Sequence, residues 1–277
     1  MNAQTSKFNP LNHPICLAYP GRLAATAWAA HVPFAMFIVD LLRPRTIVEL
    51  GVYSGVSYCA FCQAVKELNL DTRCFGVDSW QGDENSGPYG PEILSDLKEY
   101  HDPLYENFSC LIQNTFDDAV SQFEDNTIDL LHIDGFHSYE VVKHDFETWL
   151  PKMSSRGVVL FHDINVRDRG FGVWQLWEEI RLTYPHFEFL HEHGLGVIAT
   201  GTSVPDGLRE LLELSPAEAA VTREFFDQLG QRLRVRSEAN HAIHARDEAI
   251  VGLESQVSGL EQTVQEQNNR IAALSEA

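Results

Sequence analysis

"TIVELGVYSGVSYCAFCQAVKEL", at 46–68, decides how the rest of the chain is read. Its first residues are β-branched and apolar, as a buried strand requires. Gly51 and Gly55 then break the run, and apolar residues resume at helical spacing. A strand that turns sharply into a helix is half of a parallel α/β unit, and further strands follow. "RCFGVDSW" (73–80), "SCLIQNTF" (109–116), "IDLLHIDG" (128–135) and "GVVLFHDI" (157–164) all read as strands. Helical patterns occupy 138–153 and 170–184, and "FEFLHEHGLGVIATG" (187–201) reads as two closing strands around Gly194. The alternation predicts a doubly wound, mainly parallel α/β sheet of the Rossmann-like class, covered on both faces.

Four parts are expected along the chain: a helical preface over 1–45, the α/β domain over 46–203, a helical linker over 204–236 and a coiled coil over 237–277. The stretch 79–108 is long for a crossover and reads as an insertion over the active face, a lid. In the tail, Ile243, Ile250, Val257, Val264 and Ile271 recur every seven residues, with Leu253, Leu260 and Leu274 on the second seam. Arg246 and Gln267 interrupt that seam, and Gly252 and Gly259 weaken the helix. β-branched residues on one seam and leucine on the other favour a parallel dimer, with a trimer as the alternative. The tail stops at "IAALSEA" without a capping signal, so the coil is expected to continue in a longer protein.

The chain has 277 residues and a formal net charge of −20, which argues against a partner gripped through phosphates, such as nucleic acid. No signal peptide or membrane-spanning run is legible, so the expected location is cytoplasmic. The C-x-x-C of Cys59 and Cys62 sits inside an apolar helix pattern and reads as packing rather than redox or zinc chemistry.

Ligands of open parallel sheets bind beyond the carboxyl ends of the strands. There the first strand offers Glu49, Gly51, Tyr53 and Gly55. An acid followed by two glycines suits a cationic ligand, and lacks both the dinucleotide fingerprint and the Walker lysine. The second strand ends at Asp78, whose carboxylate can accept two ribose hydroxyls. The fourth ends in Asp134 and His137, the fifth in His162 and Asp163. Buried carboxylates and imidazoles are costly unless something binds them. Two acids can hold a divalent cation that acidifies a hydroxyl, and an imidazole can take its proton. Trp80 and Trp174 are candidates to stack on a sugar ring, whereas Trp177 has core spacing. His191 and His193 read as a solvated pair near a turn.

"VELGVYSG", "GVDSW" and "LLHIDGFHSYEVVKHDFETWLPKMSSRGVVLFHD" together resemble class I S-adenosylmethionine-dependent methyltransferases. Within that class the resemblance is to sugar and macrolide O-methyltransferases and the cephamycin-cluster methyltransferases. It covers roughly residues 10–200 and none of the tail. It implies that Glu49, Gly51 and Gly55 form the methionine loop, that Asp78 holds the ribose, and that Asn114 and Thr115 contact adenine. Tyr53 stands where such loops commonly carry another glycine. Asp134, also counted with the cofactor residues, His162 and Asp163 would be metal ligands for magnesium or manganese. His137 would be the base, with His162 the alternative. The family's matching pair is two acids, so His162 is a departure: it either ligates a metal that tolerates imidazole, such as manganese, or stands outside the shell and acts on the substrate, and metal-free catalysis by a His–Asp pair is a third reading. The resemblance further implies a sugar or saccharide acceptor and the company of a glycosyltransferase domain downstream. A different class of function, a non-catalytic scaffold in a glycan-assembly complex, is the competing expectation.

Overall fold

A computed structural model describes residues 8–24, 26–83 and 87–275. Compact packing divides the chain into two units, one ending at Leu233 and the other starting at Arg234. In the first, seven strands form one sheet: β1 (Thr46–Leu50), β2 (Arg73–Asp78), β5 (Ser109–Gln113), β6 (Ile128–Ile133), β7 (Met153–His162), β8 (His186–Phe189) and β9 (Leu195–Ala199). Their order is β5-β2-β1-β6-β7-β9-β8. The first five are parallel, while β9 runs antiparallel to both β7 and β8. The doubly wound layout read from the sequence is therefore the one observed.

Alternation within the strands sends neighbouring residues to opposite layers. Ile47, Leu130, Leu160 and Val197 pack in one core, with α1 (Val32–Leu42), α2 (Val56–Glu67) and Phe226 of the long helix α8 (Pro216–Ser275). Val48, Leu131, Val159 and Ile198 pack in the other, with α5 (Tyr139–Trp149) and α6 (Val173–Ile180). Trp177 is buried in that second core, as its spacing predicted. Cys59 and Cys62 are buried packing residues; burial pushes the Cys59 thiol far above its usual range.

The segment read as a linker holds α7 (Asp206–Leu212) and the start of α8; Leu208, Leu211 and Leu233 are buried there. The α8 start is capped as a box: Ser215 Oγ accepts from Glu218 N, and Glu218 Oε2 accepts from Ser215 N at 3.0 Å. In the second unit α8 continues through Gly252 and Gly259 without a break. The side chain of Leu274 lies outside the described residues.

The stretch 79–108 departs from the lid expectation. A two-strand ribbon, β3 (Gly82–Asp83) with β4 (Gly87–Pro88), leads into α3 (Pro91–Tyr105). Leu97, His101 and Tyr105 of α3 are buried, so most of the stretch is a packed crossover. Leu97 closes on Gly55, where a Cβ would meet its Cδ1 at 2.4 Å. Residues 84–86, inside the same stretch, lie outside the described residues.

Candidate active site

Beyond the carboxyl ends of β1, β2, β6 and β7 lies a cavity of about 430 Å³. Gly51, Tyr53, Asp78, Asn114, Thr115, Asp134, His137, His162 and Asp163 all line it. Two expected residues do not. Gly55 starts α2 at φ +79 with its α-carbon against Leu97. Glu49 is fully buried on the α1 side of β1, in the layer of Ile47, because a strand turns alternate side chains away from each other. There it accepts a 2.6 Å bond from Ser57 Oγ, and His132 Nδ1 stands 3.4 Å from its other oxygen. Burial raises the pKa of Glu49, against the opposing pull of His132.

The glycine loop is pinned from below. Gly51 has φ +88, and a Cβ on it would lie 2.0 Å from the carbonyl oxygen of Asp134. Only glycine lets the ends of β1 and β6 approach that closely. Asp78 Oδ2 accepts from Val52 N (2.9 Å) and Tyr53 N (2.8 Å), and its Oδ1 accepts from Trp80 N at 2.7 Å. Most of its acceptor capacity thus shapes the loop, leaving room for one more donor on Oδ1. Tyr53 sits at φ +47 with its ring edge-on to Tyr89. Thr115 caps α4 (Phe116–Ala119) by accepting from Asp118 N, and Asn114 Oδ1 accepts from Thr115 N.

The titratable groups form one cage. His162 Nδ1 stands 3.2 Å from Asp134 Oδ1 and 3.1 Å from Asp163 Oδ2. His137 Nε2 is 2.9 Å from Asp163 and 3.7 Å from Asp134. His193 Nδ1 completes it at 2.8 Å from Asp163 Oδ1. Burial opposes ionisation of both acids, but the imidazoles outweigh it, with His162 the strongest, and hold both carboxyls well below their usual range. Burial likewise opposes the charged form of His137, yet the two acids lift it to about 9. His162 is also raised, by the same two acids against burial. Asp134, His162 and Asp163 each offer one donor atom, all within 4.8 Å of one another.

Four contributors were not legible as such in the sequence. His193, expected to be solvated, belongs to the cage because the β8–β9 turn folds over Asp163. Phe171 stacks on the His137 ring at 4.3 Å and 8°. Trp28, in the preface, lines the cavity and stands over His132 and His162. His31 is buried, stacked on His191 at 4.4 Å, with neither nitrogen hydrogen-bonded; burial, aided by His162, lowers its pKa. Trp80, expected to be a sugar platform, is buried and donates Nε1–H to Tyr53 O. Trp174 lies outside the cavity wall, under the Arg167 guanidinium at 4.5 Å.

Residues 48–164, from β1 to just past β7, match the family model described as a methyltransferase domain. Over that segment the chain is similar to methyltransferase domains. Over 186 residues it is 50% identical to the uncharacterized protein y4gI of Sinorhizobium fredii (strain NBRC 101917 / NGR234). That alignment takes in 67% of this chain and 20% of the relative, so the chain spans about a fifth of the curated protein it matches. Among solved structures, similar ones include an SAH-bound methyltransferase of Podospora anserina, PaMTH1, at 15% identity and TM-score 0.47 (61% of this chain, 77% of that one). Another is cofactor-bound Rv0187 from MTB, at 10% identity and TM-score 0.49 (70% and 88%). Asp134, His137, His162 and Asp163 lie inside the matched segment, whereas Trp28, Phe171 and His193 reach the cavity from outside it. Among the described residues, no helix is long and apolar enough to cross a membrane.

Proposed function

We propose that the chain moves a methyl group from S-adenosylmethionine to a hydroxyl of a sugar or saccharide, with a divalent cation at Asp134, His162 and Asp163. The observation that carries this reading is the meeting of that donor set with His137 in the cavity walled by the glycine loop. The cofactor fits the residues present. The cavity volume is within the roughly 300–1,000 Å³ of small-molecule sites, and it is lined by the loop residues Gly51, Val52 and Tyr53 together with Asp78, Asn114 and Thr115. The cation fits too: the buried Asp163 and His162 converge with the half-buried Asp134, and nitrogen in the set favours manganese over magnesium.

S-adenosylmethionine supplies an electrophilic methyl, and the cation supplies Lewis acidity toward an alcohol oxygen. The chain supplies the rest. Phe171 fixes the plane of His137, whose Nε2 faces the two acids. While it shares their charge, His137 is protonated near neutral pH and cannot act as a base. A cation held by Asp134, His162 and Asp163 would take up that charge, so that His137 could lose its proton to solvent and, neutral, accept the hydroxyl proton at Nε2. Metal loading and base competence are thereby linked.

The test is mass spectrometry of free and nucleotide-linked sugars after incubation with S-adenosylmethionine, with and without a chelator. A one-methyl gain on a hydroxyl that the chelator abolishes and manganese restores is expected. Methyl gain that ignores the chelator would remove the metal, and gain only on amines would remove the acceptor class.

A further inference from the structure

The second unit, from Arg234, has an apolar face that its own helix leaves exposed. Ile243, Ile250, Leu253, Val257, Leu260 and Val264 of α8 are each between 43% and 65% exposed. At seven-residue spacing these side chains form a narrow seam, and a solvated seam of this kind is stabilised by a second helix laid along it. We infer that its occupant is a second copy of this chain, aligned parallel and in register.

The charges choose the orientation. With Ile250, Val257 and Val264 at the first core position of each heptad, the residues flanking the core on one side are Asp247, Glu254 and Glu261. Those on the other side are Ala249, Gln256 and Thr263. In an antiparallel pair each flank meets its own copy, which sets the acidic column against itself. In a parallel pair the acidic flank meets the neutral one, and the repulsion is absent. The core agrees, since β-branched residues at the first position with leucine at the fourth favour two parallel strands.

Register has its own device. Gln267 occupies a fourth position, where parallel alignment places it against its copy and the two amides hydrogen-bond across the axis. A slip of one heptad sets Gln267 against Leu260, burying an amide without a partner. Arg246 occupies the fourth position nearest the start and pairs with Asp247 on its own helix at 3.7 Å. A cation facing its copy ends the seam, so the coil proper runs from Ile250. Gly252 and Gly259 lie on the outer face, where a Cβ would meet nothing within 4 Å.

The experiment uses the full chain. Sedimentation at tens of micromolar should give about twice the 31.3 kDa chain mass. Leu253→Asp with Leu260→Asp should return it to the single-chain mass, with the thermal transition of the first unit retained. Gln267→Cys, in a Cys110→Ser background because Cys110 is exposed, should form a covalent dimer on mild oxidation. A monomeric parent chain would overturn the inference, as the seam would then await a different protein. So would a dimer that survives the double substitution, a three-chain mass, or a Gln267→Cys dimer that does not cross-link.

Discussion

Asp163 and Asp145 are both buried aspartates of the same domain, 3% and 4% exposed, and they stand in opposite states. Asp163 faces three imidazoles and is held ionised. Asp145, on α5, has an oxygen with no hydrogen bond, and burial pushes its carboxyl up to about 7, against the weak help of His144. Burial is common to both, so partners decide the charge. The fold tolerates one acid as a passenger that holds its proton up to about neutral pH, and surrounds the other with imidazoles. A carboxylate kept charged out of water is the mark of a site, and substitutions at the two positions should therefore do different things.

The largest effect is expected at Asp163. Asp163→Asn removes a donor of the proposed metal set and the closest acidic partner of His137, and should lower turnover by about 10³-fold. Single-turnover kinetics with saturating cofactor would measure it; a loss below tenfold would reduce the cage to scaffolding. His137→Ala should lower turnover by about 10²-fold and leave cofactor affinity nearly unchanged, because a base acts in the transition state. If calorimetry shows that affinity falls instead, the base is elsewhere, and His162 is next in line.

Asp145→Asn should do the reverse and stabilise. The folded pKa lies above the unfolded value near 3.9, so the folded state binds the extra proton and loses stability as pH rises from about 4 to about 7. Removing the titration should raise stability by about 4 kcal/mol at pH 8, some 10 °C in Tm, and by almost nothing at pH 4. An equal gain at both pH values would mean that packing, not charge, is responsible. The smallest effect is expected at Asp78. Asp78→Ala unpins Val52 and Tyr53 and should weaken S-adenosylhomocysteine binding about tenfold. Unchanged affinity would place the cofactor away from that loop.

The sequence carried the sheet and most of the cage because both depend on strand ends. Asp134 and Asp163 follow buried runs, and a parallel sheet brings such ends to one edge. Glu49 misled for a physical reason. Alternation puts Glu49 on the face of Ile47, but both faces of the strand are apolar, so nothing local says that this face packs under α1 and α2 and not toward the cavity. Trp80 misled because it takes φ +51, which tucks the indole under the loop rather than over the cavity. Trp28 and His31 lie in a segment without strand periodicity, and only the packing of α1 and α2 brings them beneath the cage. His193 was out of reach because its place depends on how β9 adds antiparallel to β7.

Asp163 carries one more consequence. Its backbone is left-handed, at φ +63, a conformation that glycine, asparagine and aspartate adopt at little cost and longer side chains resist. Of those three, aspartate alone bears a charge. Lineages descending from this chain therefore have no cheap synonym at 163: glutamate keeps the charge and strains the turn, while asparagine keeps the turn and forfeits the charge.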